Sequence, residues 1–154
     1  MSLSMFLKKS KFYLIVLTFS AFFFGALANA QSFSGAWVGE GEALGHLQDR
    51  DCSEIFFILN ETADEFEIVT AGYICGMLQA EYPSSSFQKK DGDLYYRGRK
   101  VGFYSSSHLA LEVPEEYYRL DLKLLESGQL RSTERWDDGQ SYLQVVGDLE
   151  FVAF

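Results

Sequence analysis

At 154 residues the chain is long enough to bury one hydrophobic core but short for several domains. Its formal net charge is −9 at pH 7, from 13 Lys+Arg against 22 Asp+Glu, and such sparse cations argue against polyanionic partners. We therefore expect neither nucleic acid nor an anionic membrane surface as a partner. Aromatic residues make up 16% of the chain, a composition that favours β-strands.

The N-terminal segment has the three parts of a secretory signal peptide. An apolar run over residues 12–24 follows three lysines and precedes Ala28-Asn29-Ala30, a small-x-small cleavage signal. We expect residues 1–30 to be removed, which leaves a single mature domain over 31–154 in the periplasm or outside the cell. The alternative is an N-terminal membrane anchor, but this apolar run is short for a span of roughly 20 residues.

The first predicted strand runs from Phe33 to Glu42 and has one large ring among small residues. Side chains alternate across a strand, so Trp37 falls on one face with three glycines, at positions 35, 39 and 41. Glycine inside a strand marks a bend or a close approach of neighbouring backbone. This spacing predicts a strand that curls around Trp37, as the wall of a small closed barrel does.

The segment Gly35-Ala36-Trp37 resembles the Gly-x-Trp opening of the calycins, which include lipocalins, fatty-acid-binding proteins and avidins. Its longer form, Gly35-Ala36-Trp37-Val38-Gly39-Glu40-Gly41, resembles the start of nitrobindin-like barrels. The resemblance implies an antiparallel up-and-down barrel, and barrels of this kind have room for one small ligand.

The resemblance also bears on cofactors and on the surroundings of the motif. Nitrobindin-like proteins bind haem through a histidine from the C-terminal end of the barrel, and this chain has no histidine after His108. We therefore expect no haem and no other cofactor. In calycins a late arginine often packs across the Gly-x-Trp ring, and Arg131 or Arg135 is the candidate for that cation–π contact with Trp37.

Two cysteines remain in the mature chain, Cys52 and Cys75, and an oxidising compartment favours a disulfide between them. It would join the start of the second strand to the end of the third. The alternative is two free buried thiols. No metal site is expected, because the cysteines have no neighbouring histidine and the acidic stretch over 49–54 lacks the ligand order of a calcium loop.

The rest of the chain is predicted to form short strands joined by tight turns. The strands number about ten, and no connection is long enough for a parallel crossover. The predicted fold is therefore all-β, an antiparallel meander that closes into a calycin-like barrel of about 8–10 strands because closure removes both exposed edges. After the first strand the predicted strands are Ile55–Leu59, Phe66–Cys75, Met77–Tyr82, Phe87–Lys90, Leu94–Arg97, Val101–Tyr104, His108–Val113, Tyr118–Leu124, Leu130–Trp136, Ser141–Val146 and Leu149–Phe154.

The segment from Pro114 to Gly128 is where a helix competes with a strand, because proline followed by two glutamates is a common helix start and glycine a common helix stop. The apolar residues decide for a strand. Tyr118 and the leucines at 120, 122 and 124 alternate with charged residues, a period of two that would spread them around a helix.

The same alternation predicts a pocket. The strand before the last Asp-Gly turn can point either Glu134 and Trp136 or its two arginines inward, and one carboxyl among rings costs less than two buried arginines. We therefore predict one ligand cavity lined by four residues, Trp37, Tyr118, Glu134 and Trp136. This register points Arg131 and Arg135 outward, so it conflicts with the expected contact of one of them with Trp37. The alternative is that the rings pack a solid core.

No pattern in the chain carries recognisable catalytic chemistry: Gly-x-Ser-x-Gly and His-Glu-x-x-His motifs are missing, and His46 and His108 lack catalytic neighbours. The predicted function is non-catalytic binding of a small apolar or aromatic ligand by an exported barrel that does not insert stably into membranes. Two alternatives remain open. A protein partner, for instance an enzyme that the barrel inhibits, would contact loops such as 43–51 or 83–86. An outer-membrane barrel, suggested by the terminal Phe154, needs strands of roughly nine to eleven residues, longer than most predicted here.

Overall fold

The computed structural model describes residues 32–45 and 49–153. The predicted signal peptide, His46 and Phe154 lie outside the described residues. None of the described residues forms a helix long and apolar enough to cross a membrane. A short 3₁₀ turn spans Pro114–Glu116. The strands are β1 (Gly35–Gly45), β2 (Arg50–Glu61), β3 (Glu65–Cys75), β4 (Leu78–Tyr82), β5 (Ser85–Lys90), β6 (Asp93–Tyr96), β7 (Arg99–Tyr104), β8 (His108–Val113), β9 (Tyr118–Leu124), β10 (Leu130–Asp137) and β11 (Tyr142–Val152).

The strands belong to one antiparallel sheet that closes on itself. From β5 to β11 each strand pairs with the next along the chain, and β11 then pairs with β1, β1 with β2, and β2 with β3. The ring closes at β3, whose other side pairs with β5 near its start and with β4 near its end. Because β4 and β5 share one side of β3, the 11 strands occupy about ten positions around the barrel. The predicted all-β up-and-down barrel is confirmed.

Alternation along the strands fills this barrel with apolar side chains. On β9, Leu120 and Leu122 are buried, whereas the charged residues beside them point outward. On β10, Leu130 is buried in the same core. The prediction of a strand over 118–124 with its leucines inward is therefore confirmed, and the helix-like start at Pro114 forms only the 3₁₀ turn.

The barrel has two different ends. One end of the barrel holds the end of β1, the start of β2 and the connections β3–β4, β6–β7, β8–β9 and β10–β11, and we call this end the mouth. The N-terminal segment 32–34 lies at the other, which we call the closed end. There Phe33 is buried and packs edge-on against Phe66 at a centroid distance of 6.3 Å. Trp37 Nε1 donates a hydrogen bond to the Phe33 carbonyl at 2.8 Å, and Glu61 Oε2 accepts one from the Phe33 N–H at 3.2 Å. Trp37 thus holds the segment that plugs the barrel.

The glycines of β1 allow the bend that the sequence predicts. The pairing of β1 with β2 shifts register between Gly39 and Gly41. A Cβ added at Gly39 would lie 2.6 Å from the carbonyl oxygen of Asp148 and 3.1 Å from the Cα of Leu149, both on β11. Glycine is required here because any side chain would hold the neighbouring strands apart.

A disulfide joins Cys52 and Cys75 at the mouth, with their Cα atoms 3.9 Å apart. Both residues are buried, and neither is a free thiol. The bond ties the start of β2 to the end of β3, the place that the sequence predicts. A disulfide of this kind is typical of compartments outside the cytosol.

Several strands are longer than predicted. β1 continues to Gly45 and β2 begins at Arg50, so the predicted loop over 43–51 is shorter, and β5 begins at Ser85 inside the predicted loop 83–86. β11 joins the last two predicted strands through Gly147. The reason is that ladder pairing with a neighbouring strand continues through polar and glycine residues that read as turns in isolation.

Strand length therefore gives no argument against the outer-membrane alternative, because β1, β2, β3 and β11 have 11 or 12 residues. The outward face of the barrel does argue against that alternative, because membrane barrels have a band of apolar side chains on the outside. On this barrel, outward side chains form ion pairs, such as Arg131 with Asp148 and Arg119 with Glu112.

Candidate functional site

Three of the four predicted site residues meet inside the barrel near the mouth. β9 and β10 pair so that Tyr118 lies opposite Trp136, and Glu134 lies opposite Leu120, two residues nearer the closed end. Glu134 is 0% exposed, and Ser132, on the same face of β10, is also buried. The register with Glu134 and Trp136 inward is the one that forms.

The Glu134 carboxyl is a buried acid with one unbonded oxygen. The Tyr118 hydroxyl donates a hydrogen bond to Glu134 Oε2 at 3.1 Å, whereas Oε1 has no hydrogen-bond partner among the described residues. Burial raises the pKa of Glu134 to about 8, and the Tyr118 hydrogen bond opposes this rise. At neutral pH the carboxyl is therefore mostly protonated, so it can donate as well as accept a hydrogen bond.

Trp136 is the centre of an aromatic cluster, which we define as Trp136 with Tyr73, Tyr82 and Tyr118. The Trp136 ring stacks on Tyr82 at a centroid distance of 5.7 Å. It lies 5.1 Å from Tyr118 and 6.0 Å from Tyr73. Burial is the largest cause that raises the pKa of the Tyr82 and Tyr118 hydroxyls, and the charge that Glu134 carries above its own pKa raises theirs further. Both hydroxyls therefore stay protonated at neutral pH. The cluster links β9 and β10 to β3 and β4 across the interior.

Sequence reasoning missed Tyr73 and Tyr82. The sequence does predict that Tyr73 points inward, because it lies on the same face of its strand as Cys75, which is also buried. Neither tyrosine is near Trp136 along the chain, however. Their contact with Trp136 exists only because the sheet closes, and strand alternation alone does not say which inward residues meet across a barrel.

A cavity of about 380 Å³ opens at the mouth, and Trp136 is the member of the aromatic cluster that lines it, whereas Tyr118 and Glu134 do not. This volume lies in the range of small-molecule sites, which begins at about 300 Å³. The charged residues of the lining are Arg50, Glu116, Asp137 and Asp138. The aromatic and aliphatic residues are Ala43, Leu78, Tyr117, Trp136, Tyr142 and Leu143.

Trp37 does not share this site. On β11 the residue paired with Trp37 is Phe151, near the C-terminal end of the strand, whereas Trp136 pairs with Leu143, near its start. Trp37 therefore lies at the closed end, and the predicted grouping of all four residues in one cavity is corrected. Strand alternation fixes the face on which Trp37 lies but not its height along the barrel. Ligand binding by Tyr118, Glu134 and Trp136 stays a prediction.

Neither candidate arginine covers Trp37. Arg131 lies on the outer face and forms a two-point ion pair with Asp148, at 2.7 and 2.8 Å. Arg135 also points outward, with its guanidinium 5.5 Å from the centre of the Tyr142 ring. This outcome follows from alternation, because a strand that points Glu134 and Trp136 inward must point its arginines outward. The edge of Phe151 contacts the Trp37 ring instead.

His108 lies outside the candidate site. Its Nε2 is 2.8 Å from Asp121 Oδ2, and its ring meets Phe103 edge-on at 4.9 Å. Within residues 32–45 and 49–153, no group of three or more His, Cys, Asp or Glu side chains is arranged to hold a metal ion.

No protein-family model matches the chain, and no curated protein matches it. Among solved structures, the zebrafish ileal bile acid-binding protein complexed with cholic acid is similar, with a TM-score of 0.39 and 14% sequence identity. The similarity covers 78% of this chain and 98% of that chain. Similarity at this level assigns neither a family nor a ligand. The topology of the chain itself establishes an antiparallel up-and-down β-barrel.

Proposed function

We propose that this chain is an exported protein that binds a small apolar or aromatic ligand in the mouth cavity, without catalysis. The observation that carries the proposal is the cavity itself, which measures about 380 Å³. Its lining sets Trp136, Leu78 and Leu143 beside a few polar groups, and small-molecule sites generally have this composition.

The interior supports the proposal because it holds Trp136 in place before a ligand arrives. Three tyrosine rings pack against Trp136, and one of them, Tyr118, is fixed by its hydrogen bond to Glu134. A ring that is already ordered loses little conformational entropy when it contacts a ligand. The disulfide adds rigidity by tying β2 to β3 beside the cavity.

Export rests on the N-terminal lysines, apolar run and Ala28-Asn29-Ala30 signal, together with the disulfide. Under this proposal the mature domain acts in the periplasm or outside the cell.

The test uses N-phenyl-1-naphthylamine, a neutral aromatic dye whose fluorescence rises in apolar surroundings, titrated into the mature protein. We expect saturable binding at one site. Leu143→Arg places a charged side chain in the cavity lining and should abolish this binding. Gln144→Arg, at the next position on the opposite face of β11, is the matched control and should retain it. Absence of binding to the wild-type protein, or equal binding by both variants, would contradict the proposal.

A protein partner is the second candidate function. The mouth exposes large apolar side chains around the cavity: Met77 is 93% exposed, Tyr117 58% and Tyr142 40%. Such side chains are suited to contact another protein. This candidate replaces the first if small apolar molecules fail to bind the wild-type protein.

A further inference from the structure

Tyr117 has a backbone conformation that its side chain does not favour. Its φ is 53° and its ψ is 28°, in the left-handed helical region. This region is costly for residues with a Cβ, and a bulky aromatic residue there is an outlier. Packing in the core does not account for this conformation, because 58% of Tyr117 is exposed.

Two backbone hydrogen bonds hold Tyr117 in this conformation. Its N–H donates to the Pro114 carbonyl at 3.1 Å, which closes the 3₁₀ turn. Its carbonyl accepts from the Asp137 N–H at 3.0 Å, which attaches the β8–β9 connection to the end of β10. Asp137 directly follows Trp136, so this second bond fixes the Tyr117 backbone beside the strand that carries Trp136.

The Tyr117 side chain lines the mouth cavity together with Trp136. It also lines a neighbouring pocket of about 310 Å³, whose other walls include Glu112 and Arg119 on the outer face. Tyr117 therefore lies between the mouth cavity and this surface pocket, as does Asp137, which also lines both. A strained backbone is retained where the surrounding structure enforces it, and such residues cluster at ligand-binding positions.

We propose that the Tyr117 ring contacts the ligand in the mouth cavity and that, with Trp136, it selects a flat aromatic ligand over a flexible alkyl chain. The inference rests on the proposed function and names the ligand class. Aromatic rings that line one cavity, here Tyr117 and Trp136 together with Tyr142, offer π faces and edges to a planar ring, whereas an alkyl chain gains only the area it buries. The two backbone hydrogen bonds hold the strained conformation, and the ligand contact gives the exposed ring a role that packing of the core does not give it.

The experiment measures displacement of N-phenyl-1-naphthylamine by 1-naphthol and by 1-octanol, together with the urea midpoint of unfolding. In the wild-type protein 1-naphthol should displace the dye at lower concentration than 1-octanol. Tyr117→Gly removes the ring at a position where glycine is unstrained, so it should bind 1-naphthol about two- to tenfold more weakly. The same change should not lower the urea midpoint. Tyr117→Phe keeps the ring and should keep the affinity.

Arg97→Gly is the matched control, because Arg97 also has a positive φ, of 50°, but lies in the β6–β7 turn and does not line the cavity. It should leave the affinity for 1-naphthol unchanged. Tyr117→Asn, which tolerates the left-handed region, repeats the loss of the ring in case Tyr117→Gly fails to fold. The inference is overturned if both ring-less variants bind 1-naphthol as the wild type does, or if the wild type prefers 1-octanol. Failure of the wild type to bind the dye at all would instead remove the proposed function.

Discussion

Glu134 is the residue on which the chemistry of the barrel interior depends. Its carboxyl lies among aromatic rings and accepts one hydrogen bond, from Tyr118. Such surroundings disfavour a charge, and the pKa of about 8 means that the neutral acid predominates at pH 7. A neutral acid is compatible with an apolar ligand nearby, whereas an unpaired buried carboxylate would be costly.

This pKa predicts how stability depends on pH. Glu134 titrates near its ordinary value of 4.5 in the unfolded chain and near 8 in the folded protein. Between these values the folded state binds more protons, so the free energy of unfolding falls as pH rises and levels off above the folded pKa. We expect a loss on the order of a few kcal/mol, measured as urea unfolding free energies from about pH 5 to about pH 9.

Glu134→Gln is the control for this pH dependence, because the amide has a similar shape and does not titrate. Its unfolding free energy should be nearly constant across the same range. Three aspartates have a lowered pKa and contribute to the free energy of unfolding in their charged form. This contribution is lost only in acid, below about pH 5, and the residues are Asp137, Asp138 and Asp148. Equal pH dependence in the wild-type protein and Glu134→Gln would show that the carboxyl is not buried as described.

Among the elements, the N-terminal plug is held to the end of β2 by polar contacts. Glu61 accepts a hydrogen bond from the Phe33 N–H and pairs with Lys89 Nζ at 2.7 Å. Both charged side chains are largely buried, with 17% of Glu61 and 8% of Lys89 exposed. Lys89 Nζ also lies 4.5 Å from the centre of the Tyr104 ring. The plug is therefore part of the folded barrel and not a loose extension.

We predict that Phe33→Ala destabilises the protein by about 3 kcal/mol or more, because it removes a buried ring and leaves a cavity at the closed end. Guanidinium unfolding measures the effect. Val38→Ala is the control in the same part of the chain, since Val38 is 36% exposed on the outer face, and its effect should be much smaller. Similar losses in the two variants would mean that Phe33 does not plug the barrel.

The strands show which parts of the site the sequence could predict. The period of two in β9 and β10 is sufficient to place Tyr118, Glu134 and Trp136 inside. The alternation of charged and apolar residues along one strand is enough to tell which of its side chains point inward. The height of Trp37 and the contacts of Tyr73 with Trp136 were not predictable in this way. They depend on the register and closure of the whole sheet, which single strands do not encode.

For the whole molecule, closure of the sheet gives the two ends separate roles. The closed end is filled by Phe33 and Trp37, whereas the mouth keeps a cavity of about 380 Å³. The disulfide is at the mouth and bridges a sequence separation of 23 residues between two long strands. The disulfide therefore stabilises the mouth, the end of the barrel that contains the cavity.

We predict that replacing both cysteines, Cys52→Ser with Cys75→Ser, lowers the free energy of unfolding by about 3 kcal/mol, as loop-closure entropy estimates for a loop of this length. Urea unfolding of the oxidised wild type and the double variant measures the difference. Peptide mapping without reductant should recover the linked pair. Free thiols in the folded mature protein would contradict the prediction.

We propose that the ligand binds at the mouth beside Trp136, away from Trp37 at the closed end. Replacing one tryptophan at a time leaves a single reporter at either end: Trp136 in Trp37→Phe, and Trp37 in Trp136→Phe. Bromobenzene is a small aromatic ligand whose bromine quenches tryptophan at contact, and benzene serves as the control without bromine. We expect bromobenzene to quench Trp37→Phe saturably and to leave the emission of Trp136→Phe unchanged. Saturable quenching of Trp136→Phe, with no quenching of Trp37→Phe, would contradict the claim.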